Sequence, residues 1–264
     1  MSEMTAHARV QIARHPQRPG IKDYIDALFP HFFEMKGDRL CGEDGAILGG
    51  VALYHGQPVT VIGTRKGRTL QENLRANFGM PSPEGYRKAL RVMRQAEKFG
   101  RPVITFIDTP GAYPGVEAEE RGQSEAIAHN LAAMSRLRVP ILAVITGEGN
   151  SGGALALGVA DRVLMLENAY YAVLSPEGFA SILWKDPQRR GEACEVMKLS
   201  SQDLAGFHVI DEILPEPLGG AQRDAQRLYA ALDEALERRL RELEQMNADE
   251  LTAARHRKYR AMGL

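Results

Sequence analysis

Two apolar runs constrain this chain most: PVITFID (residues 102–108) and VPILAVIT (139–146). Each reads as a buried strand, runs into a glycine-bearing loop and then opens into a helix. The first loop is TPGAYPG (109–115). The second, TGEGNSGGALALG (146–158), carries five glycines in thirteen positions. The order around them is hairpin, helix, strand, helix, strand, helix, strand pair, then helices. That order defines an α/β chain whose chemistry belongs at the strand-to-helix turns.

The remaining elements follow from spacing and turn residues. AILGGVALYHGQPVTVIGT predicts a hairpin turning at His55-Gly56. Ile21, Tyr24, Ile25 and Leu28 form one face of a short helix. Ser82-Pro83 opens a helix that carries Tyr86, Leu90, Met93 and Ala96 inward and stops at Gly100. Ile127, Leu131, Met134 and Leu137 repeat at helical spacing between the two apolar runs. A short helix is expected from Gly152 to about Ala160, then strands in RVLMLE and YYAVLS. Pro176-Glu177-Gly178 begins another helical stretch. RHPQRPG (14–20), with two prolines and a glycine, excludes regular structure. Leu228, Leu232, Leu236, Leu240 and Leu243 mark a long amphipathic helix, and Asn247 with Glu250 forms a capping box for a last one ending at Gly263.

Bulk properties exclude several classes. A net charge of −1 gives no nucleic-acid or anionic-membrane signature. The two cysteines, Cys41 and Cys194, lie far apart, which argues against a zinc ribbon or a disulfide framework and points to the reducing cytoplasm. The first twenty residues lack the apolar core of a signal peptide, and no run approaches the roughly 20 apolar residues of a membrane span. No close group of His, Asp and Glu calls for a metal.

Three motifs overlap in the second glycine loop. Gly147, Gly149 and Gly152 fit a dinucleotide fingerprint, with Glu167 at the distance of a ribose-binding acid. The helix expected behind it is short for that fold, and no second mononucleotide half follows. Gly149-x-Ser151-x-Gly153 fits a nucleophile elbow, with Asp186, Asp203 and His208 in triad order. The third reading explains most: Gly152 and Gly153, bare of Cβ at a helix start, offer backbone N–H groups as an oxyanion hole. The loop of Gly111, Ala112 and Tyr113, one strand earlier, then forms the other wall. Arg65, Lys66 and Arg68, three cations in four residues, are expected at the mouth of the site to meet an anionic group.

Longer strings carry a family resemblance. RKGR, NFGMPSPEGYRKALR, FIDTPGAYPGVEAEERGQSEAIAHNL, SGGALALGVADRV and LSPEGFASILWKD closely resemble the α subunits of bacterial acetyl-CoA carboxylase carboxyltransferases. The match runs from about ARVQIARHPQRP to VIDEILPEP. Asn150 stands where a glycine is common, Thr64-Arg65 where the family often has His-Gln, and the chain starts later than members with a longer helical N-terminus.

The resemblance implies a crotonase-like fold of stacked β-β-α turns, here as a carboxyltransferase domain over 1–217 and a helical extension over 218–264. It implies an α₂β₂ enzyme with the active site between α and β subunits, the zinc ribbon in β, and a complex that includes biotin carboxylase. Biotin on the biotin carboxyl carrier protein brings the carboxyl group to acetyl-CoA, giving malonyl-CoA for fatty-acid synthesis. Two oxyanions must then be held, the thioester enolate and the biotin ureido oxygen, and no Cys, His or Ser nucleophile is obligatory. Gly152 and Gly153 are assigned to the ureido oxygen. A stand-alone enoyl-CoA hydratase or isomerase is the alternative, with Glu117, Glu119, Glu120 or Glu148 as its carboxylate.

Overall fold

The computed structural model describes residues 4–263. Its strands are β1 (Phe33–Glu34), β2 (Ile47–Tyr54), β3 (Gln57–Thr64), β4 (Val103–Thr109), β5 (Ile141–Asn150), β6 (Arg162–Leu166), β7 (Tyr170–Ala172) and β8 (Glu212–Leu214). They form one sheet in the order β1-β2-β3-β4-β5-β6-β8, with β7 also paired to β5. The β1-β2-β3 pairs are antiparallel, and every pair from β3 onward is parallel. His55 and Gly56 both take positive φ, 47° and 83°, which gives the two-residue hairpin turn between β2 and β3 its hand.

The parallel strands are covered on both faces, so β5 is buried along its whole length, and its first half, Ile141–Ile145, is apolar without alternation. Helices Pro83–Lys98 and Gln123–Met134 return the chain between β3, β4 and β5. Ile21 and Tyr24 bring the helix Ile21–Leu28 against the sheet, where the Tyr24 ring stacks on Phe106 at 5.2 Å. The helix Ala225–Glu244 buries Leu228, Leu232, Leu236, Leu240 and Leu243 in the same core. Helix Ala248–Ala261 starts at the Asn247–Glu250 capping box.

The pairing of β5 changes along its length, and this positions the site. Leu142–Ile145 pair with β6, whereas Glu148–Asn150 pair with β7. On the other edge the register with β4 shifts between Ile107 and Thr109. The last residues of β5 therefore run out between β4 and β7, where the glycine turn begins.

The opening segment holds a helix, Ala6–Ala13, capped by Thr5, ahead of the irregular stretch at 14–20. Two local expectations are corrected. The helix after the glycine loop is one short turn-and-a-half, Ser151–Leu155, ending before Ala160. Leu137 is buried but lies beyond the end of Gln123–Met134.

Candidate active site

β5 passes into helix Ser151–Leu155 with Asn150 as the extended residue before it and no side chain capping the turn. The first amides of a helix have no intrahelical acceptor, so Gly152 and Gly153 present N–H groups at the strand end. The left-handed residue is Ser151, at φ 59°, and neither Gly152 nor Gly153 has positive φ. The two glycines are bare for different reasons. A Cβ on Gly152 would meet only Ile127, at 3.6 Å. A Cβ on Gly153 would lie 2.4 Å from the Ala112 nitrogen and 2.6 Å from the Gly111 carbonyl carbon. The β4 loop is thus packed directly on the β5 turn.

Gly111 takes φ 137° and is pinned by Thr109, whose hydroxyl receives the Gly111 N–H at 3.0 Å. Tyr113 donates its N–H to Pro81 O at 3.0 Å, and its hydroxyl interacts with Glu117. Beside the turn, Ser151, Gly152, Leu155, Tyr171, Ala172, Val173, Leu204 and Val209 line a largely apolar cleft of about 320 Å³. Backbone donors at the edge of an apolar wall suit a ligand with one polar oxygen on an apolar body.

Arg65, Lys66 and Arg68 lie elsewhere, in the wall of a larger cleft of about 630 Å³ bounded by residues 13–26 and 65–75. Lys66 is not a free cation. Its Nζ donates to Asp108 Oδ1 at 2.6 Å and Glu148 Oε1 at 2.7 Å. Burial alone would lower its pKa, but those two carboxylates raise it. Arg68 donates to Asp23 at 2.6 Å and is largely exposed, while Arg65 forms no ion pair among the described residues. Of the cations in this cleft, Arg14, Arg18, Lys66 and Arg68 are ion-paired, whereas Lys22 and Arg75, like Arg65, form no ion pair among the described residues. Of the three cations expected to meet an anionic group, Lys66 and Arg68 are thus held by carboxylates of the chain and Arg65 is not.

The same network removes Glu148 as a base for hydration. Its carboxylate accepts from Lys66, from Arg14 Nε at 2.7 Å and from the Tyr170 hydroxyl at 2.5 Å. Burial would raise its pKa, yet Lys66 and Arg14 hold it at about 2. Glu117, Glu119 and Glu120 sit on the separate helix Val116–Glu120, Glu117 beside Tyr113. No triad forms around Ser151 either. Asp203 accepts from Ser200, Asp186 caps Gln188, and His208 is exposed. Glu167 receives the Glu216 N–H and faces Arg9, which leaves it no role as a ribose acid.

Residues from the irregular opening segment enter the site unannounced. Arg14 joins Glu148, Glu177 and Tyr170. Arg18 donates to Thr146 O at 2.6 Å and pairs with Glu216 at 2.5 Å, both side chains almost wholly buried. Only the arginines themselves, Arg14 ahead of Pro16 and Arg18 between Pro16 and Pro19, marked them in the sequence. Among the described residues no group of three His, Cys, Asp or Glu is placed to hold a metal, and no helix is long and apolar enough to cross a membrane.

A mixed sheet with stacked β-β-α turns, and a glycine turn at the end of its central strand, give the molecule a crotonase-like fold. Solved structures agree on the fold. Transcarboxylase 12S with methylmalonyl-coenzyme A matches with a TM-score of 0.64 at 20% identity, over 82% of this chain and 41% of that one. A Pseudomonas malonate decarboxylase hetero-dimer matches with a TM-score of 0.66 at 19% identity, over 81% and 88%.

Sequence comparison is more specific. The family model described as acetyl co-enzyme A carboxylase carboxyltransferase-like matches residues 1–263. The carboxyl transferase subunit alpha of Anoxybacillus flavithermus acetyl-coenzyme A carboxylase is 60% identical, over 97% of this chain and 78% of its own length. That of Clostridium acetobutylicum is 56% identical, over 99% and 95%. The chain belongs to the acetyl-CoA carboxylase carboxyltransferase α-subunit family.

Proposed function

We infer that this chain is the α subunit of an acetyl-CoA carboxylase carboxyltransferase, which moves a carboxyl group from carboxybiotin to acetyl-CoA to form malonyl-CoA. It acts within a multisubunit complex. Its partners are a zinc-ribbon β subunit in an α₂β₂ assembly, a biotin carboxyl carrier protein and biotin carboxylase, in the cytoplasm. Residues 1–217 carry the site, and 218–264 form a helical extension packed on them.

The observation that carries the site assignment is the glycine turn. Two backbone amides without intrahelical acceptors stand at the end of β5, where Gly152 borders an apolar cleft and Gly153 lies buried behind it; the adjacent Ser151 has no triad partner. Biotin, when bound, supplies the carboxyl group and a ureido oxygen. The Gly152 and Gly153 N–H groups would donate to that oxygen and favour negative charge on it, an effect worth roughly 3–4 kcal/mol per donor. Leu155, Tyr171 and Val173 would supply apolar contact to the bound ring. Gly111 and Ala112 form the adjoining wall and, with Tyr113, contact the substrate. Arg65 and Arg68 face an anionic part of the substrate at the other cleft, while Lys66 serves the ion-pair network behind it.

The enolate oxyanion site belongs to the β subunit, so the α chain alone lacks half the machinery. Malonyl-CoA decarboxylation coupled to free biotin tests this. The chain co-expressed with its β subunit should catalyse the exchange, and the chain alone should not. Robust exchange by the α chain alone overturns the division of labour, and enoyl-CoA hydration by it revives the hydratase reading.

A further inference from the structure

We propose that Glu148 is a positioning residue that holds the glycine turn in its working geometry through Tyr170 and Asn150. The proposal rests on the assignment of the Gly152 and Gly153 amides above.

Three separate parts of the chain converge on this one carboxylate, and a fourth meets its backbone. Lys66 reaches it from the turn after β3, Arg14 from the opening segment and Tyr170 from β7. The Glu148 N–H donates to Asp108 Oδ1 on β4 at 2.9 Å, and Asp108 is the second partner of Lys66. The network then passes to the turn. Asn150 Nδ2 donates to the Tyr170 hydroxyl at 3.0 Å, and Arg14 Nη2 donates to the same oxygen at 2.9 Å. Asn150 is the residue immediately before helix Ser151–Leu155, and its side chain is buried.

The turn needs such a restraint. Ser151 holds a left-handed backbone, which a residue with a Cβ keeps only where its surroundings over-determine it. No side chain caps the helix that follows, so its first turn is not fixed from in front. It is fixed from behind, by β7 pairing along Glu148–Asn150 and by the Glu148–Tyr170–Asn150 bonds. Glu148 is three-way bonded and almost wholly enclosed, so it touches no substrate. Its effect on chemistry runs through the placement of two amides, where an error of an ångström matters.

The test uses the α chain reconstituted with its β subunit, malonyl-CoA and free biotin. Glu148→Gln should lower kcat about tenfold and Tyr170→Phe about fivefold, with KM for malonyl-CoA within about twofold of the parent. The double variant should be no slower than Glu148→Gln alone, because both act on one path. Hydrogen exchange of the Ser151, Gly152 and Gly153 amides should rise at least about tenfold in either variant, well below its melting temperature. If Glu148→Gln fails to fold, Tyr170→Phe carries the same two readouts. Unchanged kcat per folded complex, or unchanged exchange at the turn, overturns the proposal. Gly152→Val, run in parallel, reports on the underlying assignment. A fully active Gly152→Val removes that assignment, whereas an inactive one beside a fully active Glu148→Gln removes the positioning role alone.

Discussion

The Cβ that Gly153 lacks would stand 2.4 Å from the backbone nitrogen of Ala112, inside the distance any real Cβ keeps. Gly111, next to it, is held at φ 137°, so the loop has little freedom to move aside. Gly153 is therefore required by the packing of the β4 loop on the β5 turn, whatever its amide does.

Substitutions at the two glycines should separate packing from catalysis. Gly153→Ala should destabilise the α chain by about 2–3 kcal/mol as an overpacked contact, and Gly153→Val by more. Gly152→Ala should leave stability within about 1 kcal/mol, since Ala is favoured over Gly in a helix. Gly152→Val keeps the fold but crowds the approach to the amides, and should lower turnover roughly 10²-fold. Urea unfolding and the exchange assay read the two effects independently. Ser151→Ala should retain most activity, and a dead Ser151→Ala beside an active Gly152→Val would return the nucleophile reading.

The fold was legible where one physical signal dominated. Apolar runs gave β4 and β5, helical spacing gave Pro83–Lys98 and Ala225–Glu244, and His55-Gly56 gave the hairpin. The glycine turn was legible as a place because missing side chains at a strand end have few other uses. The charge network was not. Arg14, Lys66, Asp108, Glu148 and Tyr170 come from five separate stretches; the register of β5 with β4 and β7 brings the last three together, and the opening segment and the turn after β3 add the cations. The pairing of Lys66 was hidden for the same reason: its partners on β4 and β5 are 42 and 82 residues away.

The Arg18–Glu216 pair should behave as a buried ion pair. Glu216 also accepts from the Asn168 N–H at 3.0 Å and the Ala221 N–H at 2.8 Å, so it ties the opening segment to the loop after β8. Removing one partner leaves the other charge enclosed without compensation. Glu216→Ala should cost about 3–5 kcal/mol in urea unfolding. A loss below about 1 kcal/mol, the range of surface pairs, would show that the pair is solvated.

Acid should reveal the Glu148 network. Its folded carboxyl titrates at about 2, below the ordinary 4.5, although burial by itself pushes the other way. The unfolded chain thus binds the proton more tightly, and stability rises with pH across that window. The contribution is complete above about pH 4.5 and is lost as pH falls toward 2. A depression of this size corresponds to roughly 3 kcal/mol. Other carboxylates titrate in the same range, so the measurement is a difference. The stability gap between the parent and Glu148→Gln should narrow from pH 5 to pH 2.5, about the range linkage sets. A gap that stays constant would mean the carboxyl carries no depressed pKa.

At the opposite end of β5, Arg255 should prove a stability residue and nothing more. Its guanidinium is buried and uses all five donors: two to Asp161 at 2.8 Å, and others to Met134 O, Leu137 O and Val139 O at 2.6, 2.8 and 3.1 Å. It therefore closes the C-terminal end of Gln123–Met134 and docks Ala248–Ala261 on the sheet. Asp161 in turn accepts the Ile141 N–H at 2.8 Å, at the start of β5. Lysine offers three donors from one point and cannot span this fork, so Arg255→Lys should cost about 2–3 kcal/mol. Arg255→Met leaves Asp161 charged and unpaired, and should cost about 3–5 kcal/mol. Adding Asp161→Asn to Arg255→Met should recover part of that loss, because the enclosed charge is then gone. Amides of Ala248–Ala261 should exchange faster in every single variant. Turnover per folded complex should stay within about twofold, since this end of the strand takes no part in placing the glycine turn. A large fall in kcat with stability preserved would connect the two ends of β5 and refute that separation.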